Sequence, residues 1–149
     1  RTLEIMKDSR VGAHSVTALF CLLLLKFTIL ATFPEKYLIG VLVLMPMLSR
    51  WMMLFTLAFY PYARPQGLGK IFWLRTHRSS WYINTVIVFI LFLIVFPPHF
   101  LLALLATFII ILFLINKISN KLGGHTGDTY GAISELTEII FISIALLIV

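Results

Sequence analysis

The sequence predicts an all-α, polytopic transmembrane bundle of about five spans, and three observations predict it. Of 149 residues, 60% are hydrophobic and only 12% are charged, about half the roughly 25% that a soluble domain carries. So few charges cannot wet the outside of a soluble fold. Mean hydropathy is +1.02. The apolar residues fall in long runs with no internal repeat, heptad seam or barrel-like alternation, so the backbone must satisfy itself within helices.

A spanning helix needs about 20 apolar residues, roughly 17–25. Residues 15–33 and 37–59 meet this alone. Residues 81–96 and 100–116 are shorter, and Pro97-Pro98 separates them. Together they are too long for one span and Pro-Pro cannot continue a helix, so a tight helical hairpin is expected. Residues 132–149 make the fifth span, and 1–149 reads as one integral-membrane helical domain. The chain starts with Arg1, with no basic signal region before the first apolar run. It is therefore expected to be a fragment lacking the N-terminal part of a longer protein.

The charges orient these spans. Arg1, Lys7 and Arg10 precede the first; Arg64, Lys70, Arg75 and Arg78 lie between the second and third; Lys117 and Lys121 lie between the fourth and fifth. In alternation these nine of twelve basic residues fall on one face, which the positive-inside rule makes cytoplasmic. The net charge of +6 is thus a topology signal facing a lipid bilayer, and no nucleic-acid partner is expected. The single cysteine, Cys21, excludes a disulfide framework.

Polar residues gather in a few segments of this apolar chain. Residues 121–132 read Lys-Leu-Gly-Gly-His-Thr-Gly-Asp-Thr-Tyr-Gly-Ala, followed by Glu135 and Glu138. Gly123, Gly124 and Gly127 let backbone N–H groups approach an anion, and a following helix N-terminus favours negative charge. With a helix starting near Asp128, that residue and Glu135 share a face, and Glu138 is offset by about 60°. Three carboxylates at the end of a membrane helix need a cation or basic partners. Hard oxygen ligands suit Mg²⁺ shared with substrate phosphates, against the plainer reading that Asp128 caps the helix. His125 suits a general base or an ordinary loop histidine. No His or Cys partner stands at zinc-ligand spacing.

Three further candidates follow. Asp8 and Arg10, in Lys7-Asp-Ser-Arg-Val-Gly12, suit a metal and a phosphate or a solvated turn. Arg64 lies in Tyr60-Pro-Tyr-Ala-Arg-Pro-Gln-Gly-Leu-Gly69, read as a shaped loop rather than a helix, and its guanidinium can grip a phosphate bidentately. Lys26 and Arg50 sit within spans, where a charge at the bilayer centre costs at least about 2.5–3.5 kcal/mol. Arg50 is expected to pair or to reach a phosphate; for Lys26, snorkelling and pairing both stand.

In order, Lys7-Asp-Ser-Arg-Val-Gly12, Pro46-Met-Leu-Ser-Arg50, Tyr60-Pro-Tyr-Ala-Arg-Pro65 with Gly67-Leu-Gly69, and Gly123-Gly-His-Thr-Gly-Asp-Thr-Tyr-Gly-Ala132 with Glu135 resemble the cobalamin synthase family, the adenosylcobinamide-GDP ribazoletransferases. The resemblance covers the whole chain as the C-terminal portion of such an enzyme. It implies a Mg²⁺-dependent transferase of the bacterial inner membrane that joins adenosylcobinamide-GDP to α-ribazole or its 5′-phosphate. The product is adenosylcobalamin or its 5′-phosphate, and GMP leaves. Within that chemistry Asp128, His125 and Glu135 are the expected catalytic residues. Arg10, Arg50, Arg64, Gly123, Gly124 and Gly127 are expected to hold substrate phosphate, and Asp8, Asp128 and Glu135 the metal. An acidic motif of the family lies before the stretch that begins at Arg1. An oligomer is compatible with the sequence.

Two other classes would leave different marks on the sequence. A CDP-alcohol phosphotransferase-like lipid enzyme would carry an Asp-Gly pair with later aspartates at four-residue spacing, which is not found. A non-enzymatic transporter subunit would place its charges near the midplane, whereas most here belong to one edge.

Overall fold

The computed structural model describes residues 12–149. Among them are six α-helices: α1 (Ala13–Thr32), α2 (Glu35–Phe59), α3 (Leu68–Arg75), α4 (Arg78–Val95), α5 (Leu101–Leu122) and α6 (Gly127–Ile148). All but α3 are long and apolar enough to cross a membrane, and no β-strand is present among the described residues.

Proline and glycine set the ends. Phe33, before Pro34, is extended and stops α1. Phe96 is likewise extended before Pro97, and a 3₁₀ turn at Pro98–Phe100 leads into α5. The Phe96 and Phe100 rings stack 4.5 Å apart across this hairpin. α5 ends where Gly123 turns left-handed at φ 73°. It runs six residues past the apolar stretch ending at 116, because polar Asn116–Lys121 ends the hydropathy but not the helix. α6 starts at Gly127, five residues before the apolar stretch, because a local cap starts it. The short α3 is a correction: Leu68, Gly69 and Lys70 open a helix where a shaped loop was expected.

α6 is the hub, packing against α2, α5 and α1, while α4 packs on α2. At the end holding the Pro34 and Pro97 turns, Phe92, Phe96, Phe100, Phe141 and Ala145 are almost fully buried. Towards the opposite end, Met52, Ile111, Ile115 and Ile133 form a second cluster. Large apolar side chains such as Phe20, Phe27, Ile94 and Ile109 are exposed, as expected where lipid replaces water as the surrounding medium. Gly67, Gly123 and the N-terminus of α6 therefore share one end of the bundle.

Candidate functional site

At that end two loops are stapled side by side. The amide of Ala63 donates to the His125 carbonyl and the amide of His125 to the Pro61 carbonyl, both at 2.8 Å. Gly124 makes this approach possible: at φ 143°, a Cβ there would lie 2.5 Å from the Pro61 oxygen. The loops after α2 and after α5, separate in sequence, are thus one surface. α3 joins it through Gly69, where an added Cβ would lie 3.2 Å from the Gly127 nitrogen.

Asp128 occupies the first turn of α6, but it is not the cap. Thr126 is, with Thr129 three residues on: the Thr126 amide donates to the Thr129 hydroxyl at 2.8 Å, and the Thr126 hydroxyl accepts from the Thr129 amide at 3.4 Å. Thr-x-x-Thr, a variant of the capping box, was the overlooked signal. The Asp128 carboxylate is left 59% exposed, and Arg64 donates to it at 3.0 Å. A cleft of about 410 Å³ runs along Arg64, Pro65, Gln66 and Gly67. Arg75, Arg78, Lys117 and Lys121, at helix ends on this side, add positive field. The Lys70 ammonium is held by the Pro65 carbonyl at 2.6 Å. An exposed carboxylate beside an arginine, in a positive field at a helix N-terminus, can take a proton while the cations hold an oxyanion.

His125 is placed differently. Its ring is wholly buried, Nδ1 lies 3.3 Å from the Thr129 hydroxyl, and the Tyr60 and Tyr130 rings flank it at 5.5 and 6.0 Å. Burial pulls its pKa down to about 4, against a weak opposing pull from the Ile115 carbonyl. It is therefore a neutral imidazole at pH 7 without access to solvent, whereas a base must reach the proton it takes.

The three carboxylates of α6 do not converge. Glu135 and Glu138 both accept from the Lys26 ammonium of α1, at 2.9 and 2.7 Å, and Glu138 also meets the Ser49 hydroxyl at 2.9 Å. Glu138 is 11 residues beyond Gly127, about 16 Å along the helix, so these are intramembrane groups and not edge residues. Arg50 donates to Ser134 at 3.3 Å. Lys26 is thus reconciled with the bilayer by two carboxylates on α6, whereas Arg50 is exposed and meets the neutral hydroxyl of Ser134, a residue given no role from sequence. Among the described residues, no group of three or more His, Cys, Asp or Glu is placed to share a metal. Asp128, 59% exposed, is the α6 carboxylate at the basic end that is suited to Mg²⁺; Glu135, 46% exposed, gives one oxygen to Lys26 deeper in the bundle. Gly123 and Gly127 border the stapled loops, while Asp8 and Arg10 lie outside the described residues.

Comparison with known proteins bears on the family. The family described as cobalamin-5-phosphate synthase matches residues 1–146. The chain is 41% identical to the adenosylcobinamide-GDP ribazoletransferase of Desulfitobacterium hafniense, over 95% of its own length and 58% of the relative's. It is 37% identical to that of Thermosynechococcus vestitus, over 93% and 55%, and 40% identical to that of Pseudomonas aeruginosa PAO1, over 93% and 56%. The chain spans about half the length of the curated relatives it matches. No solved structure matches it.

Proposed function

The chain belongs to the cobalamin-5-phosphate synthase family, and from that premise we propose that the protein joins adenosylcobinamide-GDP to α-ribazole, or its 5′-phosphate, with release of GMP. A ribose hydroxyl of the ribazole attacks the phosphorus attached to cobinamide. A P–O bond to that hydroxyl forms, the bridging P–O bond of the diphosphate breaks, and GMP carries off the electron pair. The observation that carries the reading is the Arg64–Asp128 pair at the N-terminus of α6, on the basic end of the bundle.

In this reading Arg64 lies against the diphosphate, and Asp128, released from the guanidinium, takes the hydroxyl proton. Mg²⁺ would be held by Asp128 together with the substrate's phosphate oxygens, since this ion uses one or two carboxylates and keeps much of its coordination for phosphate and water. When bound it neutralises charge that develops on the diphosphate. Asp8 and Arg10 are further proposed contributors. Glu135 is assigned to holding α1 through Lys26, and His125 to the packing of the loop. The protein is proposed to sit in the bacterial inner membrane with its basic loops cytoplasmic. Neither the lipid phosphotransferase nor the transporter reading gains a supporting observation.

The test is product formation by the full-length protein with Mg²⁺. GMP should be released from adenosylcobinamide-GDP only when α-ribazole is supplied. Asp128→Asn should lower turnover by about 10²–10⁴-fold, the usual worth of a positioned base, while membrane insertion persists. Full activity in that variant would remove Asp128 from the chemistry.

A further inference from the structure

A pocket of about 350 Å³ opens beside the first turn of α6; Leu68 and Gly69 line it, next in the chain to the cleft along Arg64–Gly67. Its size falls within the roughly 300–1,000 Å³ of small-molecule sites. Met53 and Leu57 of α2, Phe72 of α3, and Gly127, Tyr130 and Gly131 of α6 line it. Gly127 and Gly131 are four apart and share a helix face. A Cβ added at either would meet nothing within 4 Å, so one wall is bare helix backbone facing open space. No charged side chain and no side-chain amide lines the pocket; the Tyr130 hydroxyl, buried and without a hydrogen-bond partner, is the one polar side-chain group among its lining residues. A flat backbone wall facing Met, Leu and Phe suits a flat, weakly polar ring system.

The proposed reaction brings three aromatic bases to the protein, the guanine and the adenine of adenosylcobinamide-GDP and the benzimidazole of ribazole, and the inference rests on that reading while deepening it. Guanine carries an amide-like edge and an amino group, and adenine an amino group and ring-nitrogen acceptors; these walls offer no charged side chain or side-chain amide to pair them. The fused benzimidazole of ribazole carries one free ring nitrogen and is otherwise hydrocarbon. Desolvating unpaired polar groups is penalised far more than desolvating a ring face. We propose that the pocket between α2, α3 and α6 seats the benzimidazole base of ribazole against the Gly127–Gly131 face, which puts its ribose next to Asp128. The pocket thereby selects an apolar lower base over a purine.

The experiment is steady-state kinetics of the full-length protein, varying ribazole, the corresponding adenine riboside and adenosylcobinamide-GDP in turn. Gly131→Leu places a side chain in the open space. It should raise KM for ribazole at least tenfold and leave KM for adenosylcobinamide-GDP within twofold. Phe72→Ala removes a side chain that is 64% exposed, so folding is not at stake. It should raise KM for ribazole several-fold and narrow the preference over the adenine riboside. A rise confined to KM for adenosylcobinamide-GDP would put a part of that substrate in the pocket and overturn the inference. Unchanged constants in both variants, as for a pocket holding only a lipid chain, would overturn it too while leaving the proposed reaction intact. A wild-type protein that forms no product would end both.

Discussion

An alanine at position 124 would drive its Cβ to 2.5 Å from a backbone oxygen that cannot swing away, at a φ of 143° that only glycine adopts readily. Strain of this kind costs on the order of 1–3 kcal/mol before the clash is counted. Gly124→Ala is therefore expected to lower the melting temperature in detergent and to cut activity, with both backbone bonds between the loops lost. The neighbouring His125 carries a pH dependence. Its folded pKa of about 4 lies below the ordinary 6.5, so between these values the unfolded chain binds a proton that the native chain does not. Stability from this group is complete above pH 6.5 and is lost as pH falls towards 4, with a slope up to about 1.4 kcal/mol per pH unit. Melting curves from pH 7.5 to 4.5 should show the decline, and His125→Gln should flatten it; an unchanged slope would mean the imidazole is not the group responsible. At this scale residue type singled out the glycines, which let backbone N–H groups approach an anion, and Asp128, whose carboxylate suits a metal or a proton. The burial of His125 was not, since nothing local distinguishes a loop histidine at the surface from one covered by Tyr60 and Tyr130.

α1 shows at the scale of elements how a helix with almost no buried surface is held. Ile29 is the one buried residue within it, and α6 is the helix it packs against. The Lys26 bridge to Glu135 and Glu138 is therefore a large part of what ties it down. Breaking an inaccessible ion pair by removing one partner costs roughly 3–5 kcal/mol, because the other charge stays buried alone. Glu138 is 8% exposed, so Lys26→Met should destabilise the protein by an amount of that order. Lys26→Met with Glu138→Gln should recover part of the loss. Thermal denaturation in detergent, comparing single and double variants, measures this; equal losses in the two would mean that the buried charge is not what destabilises the single variant. The sequence placed Glu135 on a face with Asp128, and helical geometry made that sound. It did not reveal that Lys26, 109 residues earlier, would claim that carboxylate.

For the whole molecule, the arrangement requires the loops after α2 and α5 to lie on one side of the bilayer and the turns at Pro34 and Pro97 on the other. In a Cys21→Ser background, cysteines at Gln66 and Lys121 should react with an impermeant thiol reagent from the same side. Cysteines at Lys36 and His99 should react from the opposite side. Labelling of positions 66 and 121 from different sides would contradict the stapled loops and, with them, the site.

Five spanning helices, their order and the grouping of basic residues at one end were determined by sequence alone. Those properties follow from local composition: runs of apolar residues must lie in lipid, and prolines must end helices wherever they fall. Tertiary structure decided which charges meet. It gave Glu135 and Glu138 to Lys26, left Asp128 to Arg64, and closed Tyr60 and Tyr130 over His125. Pairing partners in a bundle depend on how helices rotate and slide against one another, and that is set by the sum of many side-chain contacts rather than by the spacing of residues along any one segment.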